Sequence, residues 1–211
     1  MIAKRNIYVE KPIFTDIREV KYINEELKNN NIFIVELLMY KYTKLYEKFI
    51  KIWEKKKNQC VSIKCYFNIP NAPKDTFRNS QEITSSPLYD IGCYILSLLV
   101  DLGISLKNLK ITEINTQNKK LKSVSLAGYY KKINIYAEFG FGKKYKNLVH
   151  LEFGKNYNFF FDKFFYGVEA EKHILIEKRK VIKEILFKDQ NGFEKIFEYP
   201  KSFWLKNQNY R

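Results

Sequence analysis

The sequence predicts an α/β (α+β) chain in which a piece of parallel sheet precedes a large, mostly antiparallel sheet. The first part of the chain alternates apolar, strand-like runs with residues at helical spacing, whereas nearly everything from Leu109 onward is strand-like. Of the 211 residues, 45% are hydrophobic and 17% aromatic, which excludes a disordered chain. The longest apolar run, Ile95 to Val100, is far shorter than the roughly 20 residues of a membrane span, so we expect none.

The opening of the chain reads strand, helix, strand, helix. Asp16, with Glu19 three residues later, has the spacing of a helix start, and Pro12 bars continuation of the strand before it. The apolar run Ile32–Leu38 is continuous, as in strands that are buried on both faces of a parallel sheet. The predicted elements are a strand at Asn6–Val9, a helix ending at Asn29–Asn31, a strand at Ile32–Leu38, and a helix carrying Leu45, Phe49, Ile52 and Trp53.

The pattern changes after this helix. Cys60–Ile69 alternates as a strand, an irregular loop runs to about Pro87, and an apolar helix from Leu88 to Leu102 is closed by Gly103. The remaining segments are strands joined by short turns, which predicts a large antiparallel sheet. These strands are Leu109–Asn115, Val124–Tyr130, Ile133–Phe141, Leu148–Phe153, Tyr157–Phe161, Ala170–Ile176, Ile182–Phe187 and Glu194–Tyr199.

The formal net charge is +15, which raises the question of a nucleic-acid partner. Nearly all the positive charge is lysine, dispersed along the chain, and no nucleic-acid-binding module is recognisable, so we expect no nucleic-acid partner. The positive electrostatic field of such a protein would still attract anionic small molecules. Three cysteines without a CxxC pair (Cys60, Cys65, Cys93) and two histidines predict a reduced, cytoplasmic protein without a metal site.

Lys11 and the pair Asp90 and Tyr94 are the first candidates for chemistry. Lys11 follows the first strand, at the carboxyl end where open α/β sheets bind ligands, although it is also compatible with a solvated loop lysine. Asp90 and Tyr94 are four residues apart and therefore share a helical face. A carboxylate beside a phenol is a proton-relay arrangement in which we expect the neighbours to lower the pKa of the tyrosine. The alternative is a capping aspartate beside a packed tyrosine.

Three further residues complete the candidate site. Arg78 is the only arginine between Arg18 and Arg179, which indicates either a planar anionic or carbonyl partner or a structural salt bridge. Tyr40 lies two residues after the second apolar strand, in the segment Met39-Tyr40-Lys41-Tyr42. Gly92 lies between Asp90 and Tyr94 and would permit close approach of a backbone or a flat ligand.

Four segments, in order and at similar spacing, resemble the glucose–fructose oxidoreductase, inositol dehydrogenase and MocA (Gfo/Idh/MocA) family. The resemblance is to the subgroup of NDP-hexose 3-ketoreductases and dihydrodiol dehydrogenases. The segments are Glu10-Lys11-Pro12, Glu36-Leu-Leu-Met-Tyr-Lys-Tyr42, Phe77-Arg78-Asn79 and Leu88-Tyr-Asp-Ile-Gly-Cys-Tyr94.

This resemblance implies an oxidoreductase that uses NAD or NADP and acts on a hydroxyl or ketone of a sugar or nucleotide-sugar. Lys11 would orient or protonate the reacting carbonyl, with Asp90 beside it, and Tyr94 stands where many relatives keep a catalytic histidine. Tyr40 and Arg78 would line the substrate pocket. By the same resemblance, Glu10 and Pro12 would lie on the cofactor side.

The resemblance also implies a domain division. Residues 1–40 would be the C-terminal remnant of a Rossmann dinucleotide-binding domain. Residues 41–211 would be a substrate-binding and oligomerisation domain with helices on one face of an open sheet, forming a homo-oligomer through that sheet. The chain contains no GxGxxG, and Thr84-Ser85-Ser86-Pro87 stands where relatives carry glycines.

We therefore expect a truncated or split member that needs a separate nucleotide-binding chain or segment. Two alternatives remain open. One is a non-catalytic remnant serving in oligomerisation or binding, and the other is a basic binding module for acidic polymers.

Overall fold

A computed structural model of the chain describes residues 7–30, 32, 34–154 and 157–198. Within that part the chain forms one two-stranded sheet, one eight-stranded sheet and four α-helices. The helices are α1 (Ile17–Asn30), α2 (Lys44–Lys56), α3 (Cys93–Asp101) and α4 (Gly192–Glu198). The strands are β1 (Ile7–Val9), β2 (Ile34–Glu36), β3 (Ser62–Ile69), β4 (Leu109–Gln117), β5 (Lys120–Tyr130), β6 (Ile133–Phe141), β7 (Lys146–Glu152), β8 (Tyr157–Asp162), β9 (Glu171–Lys178) and β10 (Val181–Lys188).

The small sheet is the predicted piece of parallel sheet. Strand β1 pairs with β2 in parallel, with Ile7 opposite Ile34, and α1 forms the crossover between them. Asp16 caps α1, since its Oδ1 accepts a hydrogen bond of 2.8 Å from the backbone N–H of Arg18. Strand β2 is shorter than predicted, because the chain turns into a 3₁₀ segment at Met39–Tyr42.

The large sheet has the order β10-β9-β8-β7-β3-β6-β5-β4. Every neighbouring pair is antiparallel except β3 and β6, which are parallel. The predicted fold class is thereby confirmed: a fragment of parallel sheet is followed by a large, mostly antiparallel sheet.

Helices α2 and α3 cover one face of the large sheet, and the main core lies between these layers. Phe49 of α2 is fully buried against Phe161 of β8, with ring centroids 5.1 Å apart. Burying such a side chain contributes about 1.5–3 kcal/mol through removal of apolar surface from water. The N-terminus of α2 is capped by Asp189, whose carboxylate accepts hydrogen bonds from the backbone N–H groups of Lys44 (2.7 Å) and Leu45 (3.3 Å).

The predicted last strand, Glu194–Tyr199, is wrong, because residues Gly192–Glu198 form helix α4. Gly192 and Ile196 are buried and four residues apart, the spacing of one helical face, and Ile196 packs with Val35 and Leu37. Tyr199 itself lies outside the described residues, as do Asn6 of the predicted first strand and Asn31 at the predicted end of the first helix. Among the helices that the structure describes, none is both long and apolar enough to cross a bilayer.

Candidate active site

The loop that follows β1 carries Lys11 and is held in place at two points. The backbone N–H of Ile13 donates to Glu36 Oε1 at the end of β2 (3.2 Å), and the hydroxyl of Tyr89 donates to the carbonyl oxygen of Thr15 (3.3 Å). The first contact ties the loop to the small sheet and the second ties it to the segment preceding α3. Lys11 is therefore fixed between the small sheet and the helical layer of the large one.

A single π-turn, Leu88–Gly92, precedes α3 and presents Asp90 to Lys11. In this turn the N–H of Cys93 bonds to the carbonyl oxygen of Leu88, five residues earlier, so the turn is wider than an α-helical one. Lys11 Nζ donates both to the carboxylate Oδ1 of Asp90 (2.7 Å) and to its backbone oxygen (2.5 Å). Asp90 and Lys11, predicted to be neighbours, are thus in direct contact.

Arg78 completes an ion-pair chain on the other oxygen of the same carboxylate. Its Nε donates to Asp90 Oδ2 at 2.6 Å, and its guanidinium lies over the ring of Phe141. Burial by itself would raise the pKa of Asp90, but the hydrogen bonds from Lys11 and Arg78 outweigh it and hold that pKa below its ordinary value. Asp90 is therefore ionised at neutral pH and fixes two cations, and Arg78 forms the salt bridge that was one of its two predicted roles.

Tyr94 lies next to this chain. Lys11 Nζ is 5.3 Å from the centroid of the Tyr94 ring, and the phenol hydroxyl donates to the sulfur of Met39 (3.2 Å). The expected lowering of its pKa is wrong. Burial raises the pKa of Tyr94 strongly, and nearby groups that become anionic, including Cys93 and Asp90, raise it further. Tyr94 is thus a protonated phenol, suited to donate a proton rather than to accept one.

Aromatic side chains form a wall behind Tyr94. Its ring centroid lies 5.6 Å from that of Phe67, 6.3 Å from that of Phe165 and 5.7 Å from that of Tyr40. Tyr40 is fully buried, and its hydroxyl donates to the backbone oxygen of Tyr94 (3.3 Å). Tyr40 thus packs behind Tyr94, and its assignment to the wall of the substrate pocket stays a prediction.

Gly92 has a different role from the predicted one. A Cβ placed on it would lie 2.7 Å from Cε2 of Phe139 in strand β6, so the missing side chain makes room for the protein's own core. Glu10 and Pro12, predicted on the cofactor side, flank Lys11, with Glu10 exposed and Pro12 half-buried. Their assignment stays a prediction.

The residues of this site suit the substrate of a nicotinamide-dependent reaction, but they provide no site for the pyrophosphate of the cofactor. Lys11 and Tyr94 are suited to the oxygen of a reacting carbonyl. The pyrophosphate of such a cofactor is ordinarily bound by a glycine-rich turn at the start of a helix, and the first glycine of this chain is Gly92, already committed to Phe139. Among the described residues there is no group of three or more side chains that could hold a metal ion.

Sequence reasoning missed two contributors to the site. Met39 accepts the hydrogen bond of the Tyr94 phenol, and Phe165 packs against the same ring. Met39 lies inside the segment that resembles the family, which was the available signal. Phe165 comes from the connection between β8 and β9, far away in sequence, and no local pattern indicates that contact.

No family model and no curated protein matches the chain. Solved structures match with high structural similarity and low identity. The 3-ketoreductase KijD10 from Actinomadura kijaniata, in complex with NADP and TDP-benzene, matches with a TM-score of 0.78 and 15% identity, over 95% of this chain and 62% of that one. A Gfo/Idh/MocA family oxidoreductase from Vibrio cholerae matches with a TM-score of 0.69 and 14% identity, over 94% of this chain and 60% of that one.

These comparisons confirm the expected resemblance at the level of the fold. The chain spans slightly less than two thirds of the length of these structures. Two further matches are variants of KijD10, one with a tyrosine changed to phenylalanine and one with a lysine changed to alanine. In that enzyme the lysine and the tyrosine are separated along the chain by almost the same number of residues as Lys11 and Tyr94 are here.

Proposed function

We propose that this chain is the substrate-binding and catalytic portion of an NAD(P)-dependent oxidoreductase that acts on a hydroxyl or ketone of a sugar or nucleotide-sugar. The observation that carries the proposal is the convergence of the Lys11 ammonium on both Asp90 and the face of Tyr94. The low pKa of Asp90 keeps its negative charge, which holds Lys11 in place, while Tyr94 stays a protonated phenol that can donate to a more basic alkoxide.

In this proposal the substrate carbonyl is reduced at a point that both side chains reach. The Lys11 ammonium donates a hydrogen bond to the carbonyl oxygen and stabilises the negative charge that develops there. The Tyr94 phenol exchanges its hydrogen bond to Met39 for one to the same oxygen and delivers its proton as the alkoxide forms. The hydride is what the nicotinamide supplies when it is bound. Arg78, anchored by Asp90, lies where it can contact the rest of the substrate.

We further propose that the dinucleotide is held by a segment other than the described one. A sheet of only two strands is marginally stable by itself. Parallel sheets are also normally covered by helices on both faces. Here β1 and α1 carry exposed apolar side chains, of which Ile17 and Tyr22 are 68% and 65% exposed. This surface suits the remaining strands of a dinucleotide-binding domain.

The test supplies the nucleotide-binding part of KijD10, as a separate chain or as an N-terminal fusion, to the full 211-residue chain. Loss of NADPH absorbance is then followed with a 3-keto nucleotide-sugar. We expect turnover in the assembled protein, and a fall of about 10²- to 10⁴-fold in kcat for Lys11→Ala. Equal rates for wild type and Lys11→Ala would contradict the proposal and favour the alternative, a non-catalytic domain serving in oligomerisation or binding.

A further inference from the structure

A cavity of about 220 Å³ lies beside the candidate site, on the far side of Arg78. Its walls come from the loop at residues 78–86, from the β4–β5 hairpin and from Phe141. Because a water molecule occupies about 30 Å³ of the liquid, this volume has room for a phosphoryl group together with its first hydration partners. Arg78 belongs to both the candidate site and the cavity, since its Nε donates to Asp90 and its guanidinium lines the cavity.

The cavity is strongly positive. Arg78, Lys119, Lys120 and Lys122 line it, and Glu82 is the only acidic residue among its lining residues. Lys120 is already engaged, because its Nζ donates to the backbone oxygens of Asn79 (2.9 Å) and Ser80 (3.1 Å). These bonds attach the loop to the hairpin and so fix the width of the cavity.

Two of the cations have no partner inside the described part of the chain. Lys119 lies at the tip of the β4–β5 hairpin, in a tight turn where Asn118 and Lys119 both have positive φ. Lys122 lies three residues further along, in β5. Neither forms a hydrogen bond or an ion pair with a described residue, and the terminal amino groups of the Arg78 guanidinium donate to none either.

We propose that this cavity binds a phosphoryl group of the substrate, held by Lys119, Lys122 and the free amino groups of Arg78. This inference rests on the proposed function, because it specifies the substrate of the same site: a sugar that carries a phosphate or a diphosphate. Unpaired ammonium groups and a guanidinium fork are the donors that phosphate oxygens prefer. The chain Arg78, Asp90, Lys11 then connects the bound phosphate to the reacting carbonyl through contacts of 2.6 and 2.7 Å.

The test measures binding to the full chain by isothermal titration calorimetry, with inorganic pyrophosphate, inorganic phosphate and glucose as probes. We expect pyrophosphate to bind at millimolar concentration or below, and glucose alone to bind far more weakly. Replacing both free lysines (Lys119→Ala with Lys122→Ala) should weaken pyrophosphate binding at least about tenfold, because two charge-assisted contacts are lost. Thymidine diphosphate shows whether the phosphoryl group belongs to a nucleotide-sugar or to a sugar phosphate. Tighter binding than that of pyrophosphate indicates a nucleotide-sugar, and equal binding indicates a sugar phosphate.

The matched control removes the same charge elsewhere. Lys107 and Lys110 are exposed and lie at the opposite end of β4, roughly 30 Å from the hairpin tip at about 3.3 Å per residue. The variant Lys107→Ala with Lys110→Ala should keep pyrophosphate affinity within about twofold, as expected for distant charges at physiological salt. Equal weakening in both double variants, or no pyrophosphate binding to the wild type, would overturn the proposal. The assay needs no nicotinamide and no turnover, so its outcome is separate from that of the Lys11→Ala test.

Discussion

Tyr94 illustrates how the surroundings of one side chain decide whether it gives or takes a proton. Aromatic rings exclude water from the phenol, and Asp90 lies close to it, so the phenolate is disfavoured on both counts. The hydroxyl donates to a thioether sulfur, a weak acceptor that gives up the hydrogen bond readily to a better one. The Tyr94 hydroxyl therefore stays protonated, and its hydrogen bond to the Met39 sulfur is weak enough to be replaced by one to a substrate oxygen.

For the assembled enzyme we predict that Tyr94→Phe lowers kcat by about 10²- to 10⁴-fold and changes KM by less than about threefold. The ring that packs against Phe67 and Phe165 is retained, while the proton is lost. Steady-state kinetics of carbonyl reduction measure both constants. Unchanged kcat in Tyr94→Phe would remove Tyr94 from the chemistry. A fall in affinity without a fall in kcat would make it a binding residue only.

Asp90 should leave a signature in acid stability. Its pKa in the folded protein is lower than in the unfolded chain, so its stabilising contribution is complete above the unfolded value of about 4 and is lost as the pH falls through the folded value. We predict that Asp90→Asn costs about 1.5–3 kcal/mol of unfolding free energy at pH 7, through lost charged hydrogen bonds. In urea unfolding this difference should stay constant from pH 7 to 5 and shrink below about pH 4.

The exposed Asp75 provides the control for that measurement. Asp75→Asn should change the unfolding free energy by less than about 0.5 kcal/mol, as expected for a surface substitution away from partners. If the cost of Asp90→Asn were the same at pH 3 and pH 7, the ion pairs with Lys11 and Arg78 would not be what Asp90 contributes.

At the scale of elements, the turn before α3 packs closely against the large sheet where Gly92 faces Phe139. We predict that Gly92→Ala destabilises the protein by about 1–3 kcal/mol, because the added methyl group overlaps a buried ring at 2.7 Å. The gain in helix propensity, about 1 kcal/mol, offsets only part of this cost.

A double-mutant cycle checks the cause of that cost. In the Phe139→Leu background the ring is gone, so Gly92→Ala should cost clearly less than in the wild type. Additive effects of the two substitutions would show that the cost comes from the backbone at residue 92 and not from the contact with Phe139.

Local patterns predicted most elements because apolar periodicity is a local property. The strands from Leu109 to Phe187 and the helix after Pro87 are found where alternation and helical spacing indicated them. The segment Glu194–Tyr199 failed because its short apolar run is compatible with either period. Tertiary contacts favour the helix here, because Ile196 is buried against Val35 and Leu37. These residues are far apart in sequence and meet only in the folded chain.

The sequence predicted which residues lie together at the site, but it did not predict the direction in which their pKa values shift. Lys11, Asp90, Tyr94 and Arg78 lie in segments with recognisable spacing, and all four converge. The direction of the pKa shift of Tyr94 depends on how deeply the phenol is buried, which no spacing reveals. Likewise, the burial of Tyr40 follows from rings supplied by distant segments, such as Phe165.

At the scale of the whole molecule, one buried cation attaches the far end of the sheet to the site. Lys172 in β9 is fully buried, and its Nζ donates to the backbone oxygens of Lys163 (2.6 Å) and Tyr166 (2.5 Å). These bonds fix the turn that carries Phe164 and Phe165 to the aromatic wall. Burial lowers the pKa of Lys172 to about 8.

This lowered pKa predicts a rise of stability with pH. Between about pH 8 and 10.5 the folded protein releases the Lys172 proton while the unfolded chain retains it, so the unfolding free energy increases. Relative to Lys172→Met, wild type should gain on the order of 1–3 kcal/mol between pH 7 and pH 10. Urea unfolding of both proteins measures the difference, in which the titration of other groups cancels. A difference independent of pH would show that Lys172 is ordinarily solvated.

The position of β3 in the large sheet has a consequence for how the chain is made. Lys64 in β3 lies opposite Tyr136 on one side and His150 on the other, so both partner strands are synthesised more than 60 residues later. At about 5–20 residues per second, the ribosome leaves this strand with two open edges for several seconds. Aggregation of the nascent chain should therefore concentrate in that interval, and chaperones that cover strand edges should act there.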